Sequence, residues 1–318
     1  MSAIATAGKA KRLPKQKESI LLRFWKTRFL FLLWVPALIK YIMFNYVPMW
    51  GIAVAFFDYD LWGGWPTSEF VGLHNFEIFF KSPDFWKITR NTLALGIQNI
   101  IIAFPMIVLF ALLLNEVRNL KFKKVVQTVS YMPHFMSTVV ICGLVTSLLD
   151  PVTGGINTII TLFGGQPIYF MIKAEWFRPI YLISGLWQGL GWGTIVFLAA
   201  ISNVDPSLYE AARLDGAGRW RQIWNITLPA IAPTTATMFI LRVGNIMDGA
   251  LEKTLLLQQP ITYETSQVIV TYIYSKGLGS APDYGFATAV EIYSNLVNLT
   301  LLLLSNWVCK KLTDTGIF

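Results

Sequence analysis

Six apolar runs, at about 29–56, 91–115, 125–149, 180–202, 230–250 and 284–308, each approach or exceed the ~20 residues that carry a helix across a bilayer. Hydrocarbon offers no water to unpaired backbone groups, so a chain built this way can fold only as a bundle of helices. The balance of residues agrees: the 318 residues are 54% hydrophobic and 14% charged, with mean hydropathy +0.53. A soluble chain would carry about a quarter charged residues. The expectation is an all-α polytopic membrane protein with six transmembrane helices.

The net charge of +8 is distributed as a topology signal. Eight Lys or Arg lie between Lys9 and Arg28, and Arg118, Lys121, Lys123 and Lys124 form a second cluster. Arg213, Arg219 and Arg221 occupy the 203–228 loop, and Lys310 and Lys311 stand near the end. The loops of opposite parity are poorer in Lys and Arg. The positive-inside rule therefore puts both termini and the 203–228 loop in the cytoplasm, and gives no support to a nucleic-acid partner. The apolar run from Phe29 is too long for a signal peptide and is read as a retained first helix. Cys142 and Cys309 imply neither a disulfide framework nor a metal site, and His74 and His134 are read as structural.

The chain divides into a basic tail at 1–28, a first helix with its external loop at 29–86, a transmembrane core at 87–308, and a tail at 309–318. The basic tail suits the anionic inner leaflet, so membrane lipid is one expected partner. External loops near 57–90, 150–179 and 251–283 exceed what joining two helices requires. They read as partly folded caps with interfacial aromatics, or as a platform for an extracytoplasmic partner.

The cytoplasmic loop 203–229 carries the most specific pattern. Asp205-Pro206 is a helix start, an N-cap acid followed by proline at the first helical position. No breaker interrupts Ser207 to Asp215, and Gly216 suits the left-handed position that ends a helix. Ala211 and Ala212 leave one side without bulk for a partner's groove, and Glu210 offers that partner a carboxylate. An amphipathic stretch follows, apolar at Trp220, Ile223, Trp224 and Ile226, before Pro229 and Pro233 are expected to interrupt the helix. The plainer reading is an ordinary interfacial helix-turn-helix between two spans.

Glu210, Ala211, Ala212, Asp215, Gly216, Ile226, Leu228 and Pro229 together resemble the EAA loop of binding-protein-dependent ABC importers. More loosely, Tyr46-Val47-Pro48-Met49-Trp50-Gly51, Gly72 to Phe76 and Asn91-Thr92 resemble the carbohydrate-uptake class of type I permeases, in its oligosaccharide branch. The resemblance implies the type I importer (MetI-like) transmembrane fold and a bacterial inner or plasma membrane location. It also implies three partners: a second permease subunit, an ABC ATPase dimer gripping the 203–229 loop, and an extracytoplasmic substrate-binding protein. The sequence has no G-x-x-x-x-G-K-[ST] phosphate loop, so no cofactor is expected on this chain, and ATP with Mg belongs to the partner ATPase.

Polar residues inside a membrane are costly and by default face a cavity or another helix. Helical spacing puts Ser184, Gln188 and Trp192 on one face of the fourth helix, with Trp187 adjoining. Arg242, Asn245 and Asp248 are three apart on the fifth, and Glu291, Asn295 and Asn298 share the sixth with Tyr293 nearby. Hydroxyl-binding amides and carboxylates beside aromatic faces suit a sugar, while Arg242 and Lys40 suggest an acidic one. The same faces would also serve helix–helix hydrogen bonding. Competing classes are an importer permease for a non-sugar solute, an ion-coupled secondary transporter, and a membrane enzyme. The secondary transporter predicts mid-helix carboxylates and internal repeats, and only Glu291 answers. No nucleophile–base pair supports the enzyme.

Overall fold

Proline dictates an unexpected amount of this architecture. Three π turns occur, at Ile42–Tyr46, Asn99–Ala103 and Ile223–Thr227, and each is followed two residues on by a proline: Pro48, Pro105 and Pro229. Proline lacks an N–H and crowds the carbonyl four residues back, and widening the preceding turn relieves both without ending the helix. The expected interruption at Pro229 and Pro233 is therefore corrected. Arg219–Val243 is one continuous 25-residue span that begins well before residue 230 and stops short of residue 250.

The computed structural model describes residues 20–313 and 316–317, which form two units, Met1–Ile52 and Ala53–Phe318. In the first unit, helix α1 (Ile20–Tyr41) starts earlier than expected, so part of the predicted tail is helical. Residues 1–19 of that tail lie outside the described residues.

The second unit holds the remaining elements. A two-stranded antiparallel hairpin, β1 (Phe57–Asp58) with β2 (Glu69–Phe70), pairs Phe57 with Phe70. Its turn is closed by Asp60, whose carboxylate accepts from Thr67 Oγ1 at 2.7 Å and Trp62 N at 2.9 Å. These bonds, the Thr67 one foremost, hold its pKa below the usual carboxylate range. Helix α2 (His74–Lys81) leads to α3 (Asp84–Gln98), which continues through the π turn into α4 (Phe104–Glu116) as one 33-residue span.

The expected third span, 125–149, is not one straight helix. Helix α5 (Leu120–Tyr131) passes into a 3-10 turn at Met132–Phe135, and α6 (Thr138–Leu148) departs at 102°. Pro133 withholds a donor, and the Ser137 hydroxyl caps α6 by accepting from Val140 N at 3.3 Å. Counted as one, the bent pair is the sixth candidate span, beside five straight ones. Helix α7 (Gly155–Leu162) caps the loop before the long span α8 (Ala174–Ser202). α5 packs on α8 so closely that a Cβ on Gly191 would run into the backbone carbonyl of Ser130.

The loop 203–229 supplies α9 (Pro206–Leu214) and α10 (Arg219–Gln222), the latter continuing into α11 (Leu228–Val243). Short helices α12 (Leu251–Leu257), α13 (Tyr263–Ser266) and α14 (Ile269–Gly277) precede the last span, α15 (Tyr284–Thr313). Asn91, fully buried on α3, ties these parts together. Its amide donates to Glu264 O at 2.8 Å and Gln267 O at 3.1 Å, while its carbonyl accepts from Arg178 Nη2 at 3.0 Å.

Candidate functional site

Two polar features stand out in a bundle otherwise packed with apolar side chains. The first is the helix α9, built as its sequence suggests. Asp205 Oδ1 accepts from Ser207 N at 2.9 Å, and that N–H holds the Asp205 carboxyl below the usual range, so the cap is ionised at neutral pH. At the far end, Ala217 N donates to Ala212 O at 2.8 Å and Gly216 N to Arg213 O at 3.1 Å, with Gly216 at φ +75°. That pair of bonds is the Schellman closure, which requires a left-handed residue at Gly216.

The two alanines do not share a face as expected. Successive helical residues are set about 100° apart. Ala212 is half-buried on the side of Tyr209, whose hydroxyl meets Thr227 Oγ1 at 2.9 Å. Ala211 is exposed with Glu210, Asp215 and Leu214, the last 90% exposed. The outward surface is therefore Glu210, Ala211 and Leu214, while Ala212 is half-buried. Beside it opens a cleft of about 610 Å³, lined among others by Glu116, Arg118, Arg213 and Arg219. Arg219 reaches Glu116 at 3.6 Å there, both partly exposed.

The second feature is a cavity of about 400 Å³ between α3, α8 and α11. Arg242, Asn245 and Asp248 line it, with Asn99 and Tyr181, but α11 ends at Val243, so Asn245 and Asp248 come from the turn that follows the helix and not from its face. Arg242 Nη1 donates to Asn99 Oδ1 at 2.7 Å and lies 5.6 Å from the centre of the Phe104 ring. The ion pair considered for it with Asp248 or Glu291 is absent among the described residues. Asp248 instead accepts from Asn298 Nδ2 at 2.6 Å.

The other expected faces do not converge there. Asn298 is buried and accepts from Met247 N at 2.9 Å, so it cross-links α15 to the chain after α11. Glu291 and Asn295 stay exposed and bond each other at 3.2 Å. Tyr293 is packed edge-on against Phe79, Phe80 and Phe85, which corrects its reading as a sugar-stacking ring. Trp192 is likewise stacked, on His134 at 4.4 Å with a 5° interplanar angle. Gln188 donates to Met136 O at 3.4 Å, and Trp187 lines an apolar pocket of about 420 Å³. Lys40 stands exposed on α1 in the first unit.

Sequence reasoning missed Asn99, Tyr181 and Lys253. Lys253 is buried and donates to Tyr181 O at 2.8 Å. Asn99 carried a signal, an amide among apolar residues, but its partner is 143 positions away.

A bundle of membrane-length helices with a capped polar helix-turn-helix and a polar cavity between spans suits a transport permease. Residues 85–314 match the family model described as binding-protein-dependent transport system inner membrane component, and the chain belongs to that family. It is a permease subunit of an ABC importer.

The chain is 43% identical to the polygalacturonan/rhamnogalacturonan transport system permease protein YteP of Bacillus subtilis (strain 168), over 96% of this chain and 94% of that protein. It is 39% identical to protein LplB of the same organism, over 92% of each. Its fold matches a chain in the crystal structure of a bacterial alginate ABC transporter in complex with an alginate pentasaccharide-bound periplasmic protein. That match has TM-score 0.86 and 40% identity, and covers 94% of this chain and 100% of that one.

Proposed function

We propose that this chain forms half of the translocation pathway of an importer for acidic oligosaccharides, fragments of uronate-containing polysaccharides. The observation that carries the reading is Arg242: a cation lining a cavity of about 400 Å³ within the bundle, paired to an amide and not to a carboxylate. A half-buried guanidinium among the spans, held by an amide alone among the described residues, is an expensive feature unless an anion visits it. Relatives named for polygalacturonan and rhamnogalacturonan, and structures named for alginate, support the same class of cargo.

In this reading a second permease subunit supplies the facing half, and a substrate-binding protein delivers cargo to the external caps. An ATPase dimer grips α9 through Glu210, Ala211, Asp215 and Gly216, with Ala212 turned to the inner side of the helix. Both termini are cytoplasmic, and the chain needs no cofactor of its own because ATP and Mg act on the ATPase. Closure of the ATPases moves α9, and through the Tyr209–Thr227 bond moves α11, the helix that carries Arg242. The spans then rock around a site between them, as alternating access requires.

Arg242→Gln is the direct test. A charged hydrogen bond of about 1.5–3 kcal/mol corresponds to about a ten- to hundredfold loss of affinity. Uptake of an oligogalacturonide into vesicles should fall by at least tenfold, with neutral oligosaccharide uptake unchanged wherever the assembly carries it. A second reading, a neutral oligosaccharide, draws on Asp248 in the same cavity. Equal uptake of the oligogalacturonide by Arg242→Gln and the unaltered protein would decide for it.

A further inference from the structure

The identity of residue 99 decides whether Arg242 is available to a ligand at all. In a regular helix, residues five apart lie on widely separated sides. The π turn Asn99–Ala103, where Phe104 N–H bonds to Asn99 O, brings Asn99 and Phe104 to the same side. Between them sits the Arg242 guanidinium, 2.7 Å from Asn99 Oδ1 and 5.6 Å from the Phe104 ring centre. Both partners orient the guanidinium, and neither neutralises it. An amide oxygen accepts from one N–H, and the ring contributes only the attraction of its face for a cation.

This arrangement lies on the wall between two spaces. The cavity of about 400 Å³ and a smaller chamber of about 120 Å³ share Leu95, Asn99, Tyr181 and Arg242 as lining residues. Gln98 lines the smaller chamber, and its Oε1 is buried without a hydrogen-bond partner among the described residues. Polar groups therefore gather at this junction.

We propose that Asn99 is the positioning residue that sets charge selectivity: its amide oxygen is a neutral stand-in for the carboxylate of a uronide on Arg242. It holds the guanidinium aimed at the cavity and leaves the full positive charge to the ligand. This rests on the reading of Arg242 given above. A carboxylate at position 99 would instead close an internal ion pair that a substrate would have to break. Such a pair is costly to part, because parting it leaves each charge without its partner.

The test compares an oligogalacturonide with its methyl ester, which removes the negative charge and adds a methyl group at each uronate. Each is titrated by calorimetry into the complete transporter, permeases with ATPases, in lipid nanodiscs without the binding protein. The unaltered protein should bind the acid at least tenfold more tightly than the ester. Asn99→Asp should abolish that preference while leaving ester affinity unchanged, and adding Arg242→Gln to it should cause no further loss. Asn99→Ser, which draws the acceptor back from the guanidinium without adding charge, should reduce the preference part way and guards against misassembly of the aspartate variant. Asn99→Asp or Asn99→Ser retaining the full preference would overturn the proposal. So would equal weakening of acid and ester, which marks a merely structural role. Arg242→Gln retaining the preference would instead remove the reading beneath it.

Discussion

Changing Glu210 to Lys together with Gly216 to Pro is expected to give a normally inserted chain that no longer co-purifies with its ATPase and transports nothing above background. The two changes act on different properties of α9. Glu210 is on the outward surface, and reversing its charge would replace the proposed attraction to the ATPase with repulsion. Gly216 sits at φ +75°, and proline is confined near −65° and has no N–H to give to Arg213 O. Forcing the chain out of that geometry costs about 1–3 kcal/mol. A nine-residue helix has little stability of its own, so this cost is enough to unseat it. Pull-down of the ATPase and uptake into inverted and right-side-out vesicles measure the two effects separately. Full transport by the double variant would mean that α9 is not the coupling element.

The largest expected loss of stability comes from Asn91→Leu. Leucine has the same number and branching of side-chain heavy atoms as asparagine, so the change removes hydrogen bonds rather than packing. It strands the carbonyls of Glu264 and Gln267 and the guanidinium of Arg178, whose Nε is already buried without a partner among the described residues. Each buried group left unpaired costs about 1–3 kcal/mol, more where charge is involved. The total should exceed about 3 kcal/mol, a severe loss in any bundle. The expected readout is a lower thermal midpoint in detergent and a fall in the yield of assembled complex. Asn91→Asp should lose less than Asn91→Leu, because it preserves the acceptor for Arg178. Equal midpoints for the unaltered and leucine proteins would show that the three bonds do not hold α3, α8 and α13 together.

Much of this was legible from residues, and the losses have physical causes. Long apolar runs announced the spans, because a bilayer accepts little else. Asp205-Pro206 and Gly216 announced both ends of α9, because caps are local chemistry. The bend between α5 and α6 was written in Pro133 and Ser137 too, but the surrounding hydrophobicity masked two signals that would mark a break in a soluble chain. Pro229 misled in the opposite sense, since widening the turn before it let the helix continue. Tyr293 and Asn298 were misassigned because periodicity gives the face of a helix and not what covers that face. Aromatic side chains from α2 and α3 fill the space at Tyr293, and the backbone after α11 claims Asn298. The Asn99–Arg242 pair depends on a π turn, which no regular spacing encodes.

The most direct test of the account places a thiol on the exposed side of α9. Both native cysteines, Cys142 and Cys309, are buried, so a cysteine at Ala211 is the accessible thiol. With a short photoactivated crosslinker attached there, the assembled transporter in native membranes should yield one dominant adduct, to the ATPase subunit. ATP binding should change its yield as the ATPases close. An adduct formed only with lipid or within the permease itself, unaltered by nucleotide, would contradict the claim that force enters this chain through α9.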